Sequence, residues 1–149
     1  MSLTYQKEIV SRWFQRGQQA DNTFDQFICT WIAFNAALSA RFGRLGDRAK
    51  VDLFASQLTG DWVEWLQADA ELRDAAAELE RLSPIRDDPP WPDGRQLETT
   101  VSAEDATSVM LGVYAVRNNL FHGAKHLDAM RDHVLVRTST SVLQRLVID

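Results

Sequence analysis

The stretch NTFDQFICTWIAFNAALSARFG, residues 22–43, decides how the rest of the chain is read. Phe24, Phe27, Ile28, Trp31, Leu38 and Phe42 recur at intervals of three, four and seven, which lines them along one side of a helix and along neither face of a strand. Asn22 is suited to cap the first turn, because its side-chain oxygen can accept from an amide that has no carbonyl within the helix. Gly43 is a natural stop. One member of the seam is polar. A carboxamide on a buried face costs free energy unless it is hydrogen-bonded, so Asn35 is expected to have a specific partner. That partner is either a backbone carbonyl or buried water, or a catalytic side chain that Asn35 orients.

Helical patterns continue on both sides. Tyr5, Ile9 and Trp13, with Val10 and Phe14 beside them, predict a first helix ending near Gly17. Asp47 to Leu58 carries Val51, Phe54 and Leu58 on one face, and Gly60 breaks it. Asp61 can cap a further helical run through Trp62, Trp65 and Leu66 that continues, with interruptions, through Leu72, Ala76, Leu79 and Leu82. Ser83 and Pro84 end it, and Pro89, Pro90 and Pro92 forbid regular helix beyond that point. Residues 83–102 therefore read as a long acidic, proline-rich loop, with Trp91 expected to fold back onto the core. Ser102, three residues before Asp105, resembles a capping box opening a helix whose inward stripe is Ala106, Val109, Met110, Val113, Val116 and Leu120. Gly123 would stop it. Leu127 to Ile148 reads as a last helix built on Leu127, Met130, Val134, Val142 and Leu146. Its middle, Val134 to Val142, is rich in Thr, Ser and Val, which leaves an extended alternative open. The expected architecture is all-α: one domain over residues 1–149, an up-and-down bundle of about five helices.

The composition limits the function classes. The 149 residues suffice for one ordinary domain with its own core. No apolar run approaches the roughly 20 residues needed to span a bilayer, so no membrane partner is expected. The start, Met1 to Glu8, lacks the basic opening and apolar centre of an export signal, and a cytoplasmic location is expected. Cys29 is the only cysteine; its place in the apolar pattern marks it as buried filler. The net charge of −5 argues against broad, non-specific binding to nucleic acid. The charge is uneven, however. Between Gly112 and Arg137 the bases Arg117, Lys125, Arg131 and Arg137 outnumber Asp128 and Asp132, and all three histidines lie there. Such a cationic patch on an acidic body can engage a phosphate backbone.

The densest chemistry is Arg117-Asn118-Asn119-Leu120-Phe121-His122, followed by Gly123. It gathers a phosphate-binding cation, two amides and a group titrating near neutral pH. Arg117 and His122, five apart, differ by about 140° and about 7.5 Å on an unbroken helix, so they meet in one cleft only if the helix end opens into it. These residue types suit cleavage of RNA without a metal or other cofactor. The ribose 2'-hydroxyl is an internal nucleophile, so the enzyme must supply proton transfer, a cation for the developing charge, and hydrogen bonds that hold the geometry. His122 fits proton transfer, Arg117 the phosphate oxygens, and Asn118 positioning. Asn119, Lys125 and His126 are the expected substrate contacts, with Asn35 in support. Transesterification needs both a base and an acid. A two-fold dimer placing this helix end against its mate would supply a second histidine.

Arg117 and His122 form an Arg-x4-His pattern late in an all-helical chain. Together with Trp31-Ile32-Ala33-Phe34-Asn35-Ala36-Ala37-Leu38 upstream, it resembles the HEPN superfamily (higher eukaryotes and prokaryotes nucleotide-binding domains). The resemblance implies a bundle of about four to five helices. It also implies a metal-independent endoribonuclease acting on single-stranded RNA as a homodimer, often as a toxin or defence effector, with an antitoxin protein as a potential partner. It assigns the motif's roles to Arg117, Asn118 and His122. The acidic insertion from Asp69 to Glu104 departs from the most compact members. Three alternatives stand beside this reading: a purely structural Arg117 and His122; a non-catalytic HEPN-like module that binds a partner or nucleotide; and a metal site from His122, His126 and His133, for which no further ligand has fitting spacing.

Overall fold

A computed structural model describes residues 3–87, 97–121 and 130–147. Among them are seven helices: α1 (Leu3–Gln19), α2 (Thr23–Phe42), α3 (Asp47–Leu58), α4 (Trp62–Ala68), α5 (Ala70–Leu82), α6 (Ala106–Phe121) and α7 (Met130–Val147). Two short strands, β1 (Ile85–Asp87) and β2 (Leu97–Thr99), lie between α5 and α6. The chain is an all-α helical bundle, as its periodicity predicted, with more helices than expected. No described helix is long and apolar enough to cross a membrane.

α2 packs against α1 and α7, α7 also against α5, and α3 against α6. The α2 residues Phe24, Phe27, Trp31, Phe34 and Leu38 are buried in a core shared with Val51, Phe54, Trp62, Leu72, Leu79, Met110, Val113 and Leu143. The aromatic rings interlock: Trp31 lies 5.6 Å from Phe34 and 6.3 Å from Tyr114, and Phe34 meets Phe54 edge-on at 5.4 Å. At the helix start Asn22 caps as expected, its Oδ1 accepting from the Asp25 amide at 2.8 Å. Cys29 is buried.

α1 ends at Gln19, near Gly17 as expected. A Cβ on Gly17 would stand 2.8 Å from Thr30 Oγ1, so the glycine lets α1 approach α2 closely. The expected interruption between Trp62 and Leu82 falls at Asp69, whose backbone is extended and whose carboxylate accepts from the Leu72 amide at 3.1 Å, capping a new helix. Residues 83–102 are not all loop, since β1 and β2 pair antiparallel with Ile85 opposite Thr99 and Asp87 opposite Leu97. Ile85 and Val101 are buried against α6, and a Cβ on Gly112 would lie 2.8 Å from Val101 Cγ2. Trp91 lies outside the described residues. Asp105 rather than Ser102 caps α6: its Oδ1 accepts from the Thr107 amide at 3.2 Å and its carbonyl from Val109 at 3.1 Å.

α7 is helical through Val134 to Val142. Its hydroxyls turn back onto the helix, Thr140 Oγ1 donating to the Val136 carbonyl at 2.8 Å and Ser141 Oγ to Arg137 at 3.2 Å, which reconciles Thr and Ser with helical backbone. Its buried apolar residues are Leu135, Val136, Val142, Leu143 and Leu146, while Met130, expected inward, is 78% exposed at the helix start. Thr138, Ser139 and Thr140 are buried as well, because α7 has neighbours on two sides, α2 and α5.

Candidate active site

Arg117 lies in the last turn and a half of α6 and is drawn inward rather than presented to solvent. Its Nη2 donates to Asp47 Oδ2 at 2.9 Å, and its Nη1 donates to Asn118 Oδ1 at 2.9 Å. The guanidinium carbon lies 4.5 Å from the Phe121 ring centre, 5.6 Å from Trp31 and 5.8 Å from Tyr114. A weakly hydrated planar cation is suited to such aromatic surroundings. The Arg117 side chain keeps 19% exposure, while its Nε is buried without a hydrogen-bond partner among the described residues.

Asp47 stands in the first turn of α3, where an acidic side chain complements the positive end of the helix. Its other oxygen, Oδ1, is 3.5 Å from Lys50 Nζ. Lys50 is itself buried and donates to Ser39 Oγ at 2.9 Å, tying α3 back to α2. The residues around Arg117 therefore come from α2, α3 and α6, and the guanidinium is where the three helices meet. Neither Asp47 nor Lys50 was singled out from the sequence.

The other expected site residues divide. Asn118 is buried and turned toward Arg117, where it holds the guanidinium in orientation. Asn119, expected at the substrate, is fully buried on another side of the helix. Its Nδ2 donates to the Arg86 carbonyl at 2.6 Å, securing the β-hairpin to α6. Both amides make further contacts. Asn35 lies one helical turn after Trp31, on the same side of α2. Its Oδ1 is buried and has no hydrogen-bond partner among the described residues. His122, Lys125 and His126 lie outside the described residues, which reach Phe121 and resume at Met130.

Among the described residues of the cationic segment, two arginines are held by the chain itself. Arg117 is engaged by Asp47, and Arg131 Nη2 donates to the carbonyls of Leu82 at 2.5 Å and Pro84 at 3.2 Å. His133 packs edge-on against Phe24, ring centres 5.0 Å apart. Among the described residues no group of His, Cys, Asp and Glu side chains is arranged to hold a metal ion.

The arrangement offers a desolvated, oriented guanidinium. Of the two N–H groups on each Nη, one is committed to Asp47 or Asn118, which leaves donor capacity for an anion at the exposed edge. No family model, curated protein or solved structure matches the chain.

Proposed function

We propose that the chain is a metal-independent endoribonuclease of HEPN type that cleaves single-stranded RNA by attack of the ribose 2'-hydroxyl on the adjacent phosphodiester. The observation that carries the reading is the held guanidinium of Arg117, gripped by Asp47 and Asn118 and still partly exposed near the end of α6. A cation fixed in a partly dried site stabilises developing phosphorane charge better than one that must reorganise during reaction. His122 comes directly after the last described residue of α6 and is assigned proton transfer. Lys125 and His126 are assigned to the RNA backbone. In this reading two copies pair through the ends of their motif helices, so that one His122 acts as base and the other as acid. An antitoxin protein would act by covering that cleft.

A specific observation favours a second reading, a non-catalytic HEPN-like module that binds a partner or nucleotide. Arg117 already has a carboxylate, an amide and three aromatic rings around it, which is how a purely structural arginine is held. One experiment separates the two. Purified protein is incubated with single-stranded RNA in excess EDTA and the 3' ends of the products are identified. Cleavage leaving 2',3'-cyclic phosphates, lost in His122→Ala with little change in melting temperature, supports the nuclease. Intact RNA under these conditions, or equal cleavage by His122→Ala, removes it in favour of the binding module.

A further inference from the structure

We propose that the junction of α3 and α6 is a phosphate subsite in which Lys50 and Arg117 are the cations and the carboxylate of Asp47 is the group that a bound phosphate displaces. This deepens the ribonuclease reading, on which the choice of an RNA phosphate as the natural occupant rests. The charge argument stands without it.

The side chains of Lys50 and Arg117 are 5% and 19% exposed, and the one carboxylate between them, Asp47, is 28% exposed. Two cations against one anion leave an excess of one positive charge where water screens poorly. The nearby charged groups do not correct it. On α3, Arg48 and Asp52 pair with each other at 3.2 Å on the outer face. On α2, Arg41 turns to Gln57 and to the Phe54 ring. Among the described residues no second carboxylate pairs with either Lys50 or Arg117.

Donors also outnumber acceptors. Arg117 and Lys50 together carry eight N–H groups. Among the described residues the acceptors they reach are Asp47, Asn118 Oδ1 and Ser39 Oγ, and the Arg117 Nε is buried with none. At 3.5 Å the contact of Lys50 with Asp47 is longer than a good hydrogen bond. A phosphodiester supplies what the cluster lacks, one negative charge and several acceptor oxygens. The position it would take is marked by the Asp47 carboxylate, which contacts both cations. Asp47 is also the most exposed of the three and hangs on a short side chain at the start of a helix, so it can turn outward when a stronger anion arrives.

Three residues thus have opposite roles, and the test uses that opposition. The Nε–Hε resonance of Arg117 in isotope-labelled protein is followed while inorganic phosphate replaces chloride at constant ionic strength. A second titration uses a 2'-O-methyl dinucleotide, which has the phosphodiester but no nucleophile. A saturable shift is expected with both ligands. Asp47→Asn is expected to tighten phosphate binding about tenfold by removing the competing charge, and Lys50→Met to weaken it by a similar factor. Circular dichroism and melting confirm that each variant is folded; if Lys50→Met is not, the wild-type and Asp47→Asn titrations decide. No saturable shift in the wild type, or unchanged or weaker binding in Asp47→Asn, overturns the subsite. A response to inorganic phosphate alone keeps the subsite and removes RNA as its ligand. A phosphate response in protein that cuts no RNA sinks the nuclease reading and leaves the subsite standing, whereas RNA cleavage with no phosphate response does the reverse.

Discussion

The polar groups at two places in the bundle are treated in opposite ways. Around α5, the hairpin, α6 and α7, four long polar side chains end on fixed acceptors, although the α7 hydroxyl of Ser139 is buried without one among the described residues. Asn119 reaches the Arg86 carbonyl at 2.6 Å, Arg131 the Leu82 carbonyl at 2.5 Å, Arg145 the Asp69 carboxylate at 2.6 Å, and Trp62 Nε1 the Ala103 carbonyl at 2.8 Å. Where α2, α3 and α6 meet, Arg117 Nε and Asn35 Oδ1 are buried without partners among the described residues, where cations also outnumber carboxylates. Saturated contacts can only be lost, so they fix structure. Unsaturated ones can still exchange partners, which makes their position the better candidate for binding and chemistry.

The largest effect that tests this contrast is expected from Asn119→Ala. The substitution takes this donor away from the Arg86 carbonyl and leaves a gap beside α6 where a fully buried side chain stood. Unfolding by denaturant should show a loss of about 1–3 kcal/mol, the range for a buried polar side chain whose hydrogen bonds are removed. A loss within about 0.5 kcal/mol of zero, in the range of an ordinary surface substitution, breaks the comparison. If RNA binding fell at the same time, Asn119 would return to the substrate role that its place in the motif first implied.

That correction shows where sequence reading reached its limit. Helix content was legible because each helix repeats its apolar residues locally, and the burial of Phe24, Phe27, Trp31 and Leu38 is a direct consequence of their spacing. Asn118 and Asn119 are adjacent, carry the same side chain and sit in the same motif, yet one turns to Arg117 and the other to the hairpin. A rotation of about 100° per residue separates them, and the pattern could not say what lies on each side. Asp47 was invisible as a partner of Arg117 because it is 70 residues away in the chain. Lys50 did leave a signal: it lies beside Val51 and four residues before Phe54, a cation within an apolar stripe, and such a residue needs a partner.

A smaller effect is expected at Asp69, on the saturated side. Its carboxylate caps α5 and pairs with Arg145 across to α7. Burial tends to raise the Asp69 carboxyl, but the hydrogen bond from Arg145, the amides of Leu72 and Glu71 and the Arg145 charge together hold it below its ordinary value. Asp69→Ala removes the cap and should cost about 1 kcal/mol. Asp69→Asn keeps a capping oxygen and removes only the charge, so it isolates the ionic part. Because the folded carboxyl is depressed, the unfolded chain takes up the proton first as the pH falls. The stabilisation is therefore complete above about pH 4, near the unfolded carboxyl, and disappears as the pH drops through the folded value. Melting curves of wild type and Asp69→Asn should converge below that pH. A gap that persists into acid would mean that the side chain acts by shape alone.

The smallest effect, and the one of opposite sign, belongs to Asn35→Leu. At a saturated position, replacing a carboxamide by an apolar side chain of similar size forfeits hydrogen bonds. Asn35 Oδ1 has none to forfeit, and its burial is already unfavourable. The variant should be as stable as the wild type or up to about 1 kcal/mol more stable, with the apolar side chain extending the seam of Trp31 and Leu38. A gain in stability accompanied by weaker anion binding near Arg117 would identify the unmet oxygen as something retained for function at the expense of the fold. A loss of more than about 1 kcal/mol, the scale of one intramolecular hydrogen bond, would instead place a partner on that oxygen in solution and make the two junctions alike.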